Sequence, residues 1–95
     1  MTFDEFSATL NHNAPPAGLH KLVEALWYDA NNQWDKAHDI AQDVHTDEGS
    51  WVHAYLHRKE GDQGNASYWY RLAHRPASQK SLKEEWREIT TALLR

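Results

Sequence analysis

The chain has 95 residues, no cysteine and a formal net charge of −4, with 40% hydrophobic and 25% charged residues. That describes one small domain of ordinary soluble-protein balance, large enough to bury a modest core without covalent staples. Disulfides and thiolate metal sites are excluded, and the negative charge argues against a phosphate-backbone binder, which needs clustered Lys and Arg to release counterions.

The chain opens with Thr2 and Glu5 at capping-box spacing, followed by Phe3, Phe6 and Leu10 as one apolar stripe. A short first helix is expected there. It ends in Asn11 to Gly18, where Pro15 and Pro16 cannot continue the ladder. From Leu19 to about Asn31 the residues Leu22, Val23, Leu26, Trp27 and Ala30 recur at helical spacing. Asn31-Asn32 breaks the pattern, and Trp34 to about Val44 resumes it with Ala37, Ile40 and Ala41. The polar stretch Thr46 to Ser50 reads as a connection with a break near Gly49 and an N-cap at Ser50. Trp51 to Glu60 follows, closed by Gly61 as a left-handed cap. Asp62 to His74 carries Ala66, Trp69, Tyr70 and Ala73, with Pro76 beyond it. Ser81 and Glu84 form a second capping box before Leu82, Trp86, Ile89 and Leu93. No stretch alternates with the period of a strand. There is neither a basic leader nor a continuous apolar run, so no signal peptide and no membrane span are expected, and the cytoplasm is the expected location.

The chain also repeats itself. Residues 25–44 moved by 29 positions fall on residues 54–73, so that Ala25 lands on Ala54 and Ala37 on Ala66, with Asn32 and Gly61 as the turns between. Two helices joined by a short breaker, occurring twice, predict stacked helical hairpins. The spacing of Ala54, Gly61, Ala66, Tyr70 and Ala73 resembles a tetratricopeptide repeat, and Ala66 to Ala73 is similar to the second helix of the shorter Sel-like hairpins. The first hairpin matches at Ala25, Tyr28, Asn32, Trp34 and Ala37, with Ala41 where an aromatic is usual. The resemblance covers roughly residues 19–75 and implies a groove that binds a peptide or partner protein. The stretch Trp51 to Asp62 also resembles the signature of a family of short uncharacterised bacterial proteins. That implies a bacterial, cytoplasmic protein and supplies no activity.

Few residues suggest chemistry. His53, His57 and Glu60 share one helical face and offer a site for Zn²⁺ or a similar divalent metal. The glutamate of a protease H-E-x-x-H motif is missing, since Ala54 follows His53. By helical angle these three lie opposite Trp51, Val52, Tyr55 and Leu56, which makes them a solvated face. By repeat register His53 and His57 are interior and need polar partners, which His38, Gln42 and His45 could supply from the preceding helix. Trp51 and Tyr55 beside Arg58 and Lys59 suit a peptide carboxylate or an anion, or else form core with the cations lying along it. No G-x-S-x-G, phosphate-cradling glycine loop or activated serine occurs, so no catalytic residue is assigned, and Glu84-Glu85 reads as a solvated acidic pair.

The sequence therefore predicts an all-α fold of about six helices in a single domain, residues 1–95. Residues 1–18 form an N-terminal helix and proline loop, residues 19–75 two stacked antiparallel hairpins, and residues 76–95 a C-terminal helix. The expected function is a non-catalytic interaction module for a peptide or partner protein, without cofactor, nucleic acid or membrane, and compatible with a homo-oligomer. The alternative is a small-ligand or metal-binding protein, even an enzyme, built on the His53/His57 face. What discriminates them is whether a third histidine or acid meets that pair in space, with His38 and His45 as the candidates.

Overall fold

The computed structural model describes residues 1–94, and among them the fold is all-α, with six α-helices and no strand. Helix α1 spans Phe3–Ala8 and runs into a 3₁₀ turn at Thr9–Asn11. It is followed by α2 (Lys21–Ala30), α3 (Trp34–Gln42), α4 (Asp47–Glu60), α5 (Gln63–Leu72) and α6 (Leu82–Leu93). None of these helices is long and apolar enough to cross a membrane.

Local signals explain most of the boundaries. Thr2 and Glu5 cap α1 reciprocally, with bonds of 3.1 and 2.7 Å, and Ser81 and Glu84 do the same for α6 at 3.1 Å each. Asn32, at φ +63°, turns the chain between α2 and α3, and Gly61, at φ +93°, turns it between α4 and α5. Left-handed backbone costs glycine nothing and asparagine little.

Two boundaries differ from the sequence expectation. Ser50 is not an N-cap and Gly49 is not a break, because α4 begins one turn earlier. The Thr46 hydroxyl accepts the Gly49 N–H at 3.0 Å, and Asp47 and Glu48 fill the first turn, where carboxylates favour the helix dipole. The glycine answers a close approach instead, since a Cβ there would stand 1.9 Å from the Val44 carbonyl oxygen. Helix α5 stops at Leu72, ahead of Pro76. His74 adopts φ +60°, and the Arg75 N–H turns back to the Tyr70 carbonyl at 3.1 Å, which closes the helix before the proline is reached.

Helix α4 is the centre of the molecule. It packs against α2, α3, α5 and α6, and every residue from Trp51 to His57 is buried. A helix covered on all sides has no solvated face, so the angular argument that put His53 and His57 outside fails. They are 5% and 7% exposed. The most extensive contacts are between α4 and α5 and between α2 and α3. Ala25, Ala37, Ala54 and Ala66 are all fully buried, and alanine at such positions lets helix axes approach.

Tryptophans tie the elements together through their indole N–H groups. Trp27 donates to the Thr9 carbonyl (3.2 Å), Trp34 to Leu56 (2.7 Å) and Trp86 to Leu26 (3.1 Å); the rings of Trp27 and Trp86 fill the core, Trp34 packs against it, and each polar atom is satisfied. Trp86 also stacks on Phe6 at 6.0 Å and meets Phe3 edge-on at 5.8 Å, which fastens α1 to α6.

Candidate metal centre

Three imidazoles from two helices meet beside α4. His38 comes from α3, with His53 and His57 one turn apart on α4. One ring nitrogen from each lies within 4.8 Å of the others. His38 Nε2 and His53 Nε2 are 3.0 Å apart, so one of them carries a hydrogen and the other accepts it. His57 Nδ1 is 2.7 Å from Glu60 Oε2. A carboxylate at that distance holds the proton on Nδ1 and leaves the Nε2 lone pair free.

Two indoles fix the ring orientations. Trp34, one turn before His38 on α3, stacks on it at 4.9 Å and 12°. Trp69 of α5 stacks on His53 at 3.8 Å and 14°. Their role was not read from the sequence, although an aromatic four residues from a histidine on a helix was a usable signal in the case of Trp34.

The electrostatics favour the neutral forms of His53 and His38. Burial, reinforced by His38 and His57, pushes the His53 imidazole down to about 4. His38 is also lowered, by burial first and then by His57, against the attraction of Asp39, Glu60 and Asp35. Neutral imidazoles are the ligating form.

The remaining residues named from sequence separate clearly. Gln42 is exposed at the end of α3, and His45 lies beyond that helix, also exposed, so neither reaches the cluster. They line the wall of an adjacent cavity of about 300 Å³ that touches His53, Trp69, Thr46 and Ser50. Trp51 and Tyr55 belong to the core at 6% and 2% exposure, and do not form an open aromatic groove. Glu60 reaches His57 and is held there by its hydrogen bond.

Arg58 serves a second buried polar group. Glu85 is fully buried, contrary to its reading as half of a solvated pair; Glu84 alone stays exposed. Arg58 Nη1 donates to Glu85 Oε1 at 2.9 Å, Trp51 Nε1 donates to Oε2 at 3.2 Å, and the Tyr70 hydroxyl stands 2.6 Å from Oε2. Arg58 Nη2 also donates to the Lys80 carbonyl. Burial and the Glu85 charge raise the Tyr70 hydroxyl well above the usual phenol range, so it remains a donor. Lys59 answers a second buried carboxylate, with Nζ 2.9 Å from Asp29 Oδ1.

No protein-family model matches the chain, and no curated protein or solved structure matches it significantly.

Proposed function

We propose that this protein binds a divalent transition metal through His38, His53 and His57, the metal-binding alternative raised by the sequence. The observation that carries the reading is the third histidine. His38 joins the His53/His57 pair, and all three donor nitrogens lie within 4.8 Å. Tetrahedral Zn–N bonds of about 2.0–2.1 Å place ligand nitrogens roughly 3.3 Å apart, so small rotations of the rings suffice to admit an ion. An all-imidazole set suits Zn²⁺, Co²⁺, Ni²⁺ or Cu²⁺ rather than Mg²⁺ or Ca²⁺, which prefer oxygen. Glu60 belongs behind His57, as the carboxylate that orients it, and not in the ligand set expected from sequence.

Titration calorimetry with Zn²⁺ and Ni²⁺ tests this. One ion per chain is expected, with an accompanying rise in Tm, and His38→Ala, His53→Ala and His57→Ala should each abolish the heat. No heat and no thermal shift in the parent protein would refute it.

Two observations support the interaction-module reading. Tyr68 and Leu72, one turn apart on α5, are 49% and 43% exposed, and Leu72 borders the cavity next to His53. Pairing of α2 with α3 and of α4 with α5 also supports a hairpin-repeat architecture around that surface. Sedimentation of the parent and of the Tyr68→Ser/Leu72→Ser variant tests whether this face joins two copies; indistinguishable monomers would remove self-association from that reading.

A further inference from the structure

The three histidines leave a bound ion one donor short. Among the described residues, no fourth histidine or carboxylate groups with all three of His38, His53 and His57. Glu60 Oε2 is engaged 2.7 Å from His57 Nδ1, on the side of the ring away from the free nitrogen. Asp62, which lies near Glu60 and His57, is the N-cap of α5 and accepts the Asn65 N–H at 3.1 Å. Trp34 and Trp69 lie face-on to His38 and His53 and offer no lone pair. Closed zinc sites supply four protein donors and are structural, whereas sites with three protein donors keep a position for solvent or substrate.

We propose that the ion held by His38, His53 and His57 keeps an exchangeable fourth position, occupied by water at rest and open to a small monodentate anion. The inference rests on the metal-binding reading above. Exchange is a ligand substitution: the anion donates a lone pair to the ion as the water leaves, with no bond to protein broken and no electron transferred. The surroundings suit a small ligand. His38 is only partly buried, and a cavity of about 300 Å³ lies against His53, with Gln42, His45, Ser50 and the Asp47 carboxylate among its lining residues. A divalent ion on three neutral imidazoles brings a charge of +2 that the donor set does not neutralise, so an anion is favoured over a neutral ligand.

The experiment uses the Co²⁺-loaded protein, since Co²⁺ replaces Zn²⁺ in such sites and its visible bands report coordination. Co²⁺ stoichiometry is measured first, and azide is then added as the probe. The expected result is a change in the visible bands that saturates at one azide per ion, with Co²⁺ still bound at one per chain after dialysis against azide. Glu60→Gln, which loses the carboxylate that orients His57, should load Co²⁺ more weakly but, once loaded, show the same saturating change at one azide per ion. Bands unmoved by azide in the parent would overturn the proposal, and a response confined to Glu60→Gln would identify Glu60 as the fourth ligand. Release of Co²⁺ by azide without a ternary spectrum would overturn it as well. Failure to bind Co²⁺ at all would instead remove the metal-binding reading, and this inference with it.

Discussion

Helix α4 carries buried polar side chains toward two neighbouring clusters, and these clusters are completed differently. Toward α6 it sends Trp51 and Arg58, which meet Glu85 with Tyr70 of α5. There the acid is matched by a cation, an indole N–H and a hydroxyl, and both carboxylate oxygens have donors. Toward α3 it sends His53 and His57, which meet a third base, His38. Three imidazoles in contact bring three basic nitrogens together with one carboxylate, Glu60, at the edge. A closed network of opposite charges is what a structural role needs. A cluster of basic nitrogens with a single carboxylate at its edge gains most from a cation supplied from outside.

The largest effect expected from breaking this contrast is at Glu85. Glu85→Ala leaves the Arg58 guanidinium, 15% exposed, without its counter-charge and also strips Tyr70 and Trp51 of an acceptor. Removing one partner of a buried pair costs about 3–5 kcal/mol. Denaturant melts should show that loss, while Zn²⁺ titration of the folded variant should give the same result as the parent. A loss below about 1 kcal/mol would contradict the structural assignment of this cluster.

Ala66→Leu should disturb both clusters together. Ala66 is fully buried where α5 packs against α4, and the same helix carries Tyr70 to Glu85 and Trp69 to His53. Overpacking a close helix contact costs about 1–3 kcal/mol. Ala37→Leu tests the α2–α3 contact by the same logic, and parental stability in both variants would remove the close-packing argument.

Acid probes the histidine cluster through His53. The unfolded His53 takes a proton near 6.5, whereas the folded one resists until about 4. Because the folded pKa is depressed, the unfolded state binds more protons inside that window, so stability falls as pH drops from 6.5 toward 4. Above 6.5 this group adds no pH dependence. The expected loss from His53 is about 1–3 kcal/mol, the lower part of the range reflecting partial solvent screening. Melts at pH 7 and pH 4.5 should diverge less in His53→Gln than in the parent; equal divergence would place the acid sensitivity elsewhere.

These contrasts were only partly legible in the sequence, and the division follows the range of the interactions. The capping boxes at Thr2/Glu5 and Ser81/Glu84 and the turn at Gly61 are local, and they lie where the residues predicted. The start of α4 is not local: Thr46 and Ser50 are both competent caps, and the approach of Val44 to Gly49 favours the earlier one. Glu84 and Glu85 look alike in sequence. What separates them is Arg58, 27 residues away, together with Tyr70. His38 was nameable from its spacing, but so were Gln42 and His45 by the same spacing, and only the packing of α3 on α4 brings the first to His53 and leaves the others outside.

The smallest effect on stability, and the most specific on function, is expected at His38. Its ring is partly exposed, and its removal costs the stack on Trp34 and one hydrogen bond to His53. In the metal-free protein His38→Ala should therefore cost about 1 kcal/mol, the low end for a buried group that loses one partner. With metal the variant should separate sharply from the parent. An ion at one hundred times its Kd adds about 2.7 kcal/mol to a protein that binds it only when folded, and a chain left with two imidazoles forfeits most of that gain. The comparison is thus made between differences: parent with and without Zn²⁺, variant with and without Zn²⁺, all followed by thermal melts. A large loss in the metal-free variant with no Zn²⁺ effect in either protein would make the histidine cluster structural, of the same kind as the one around Glu85.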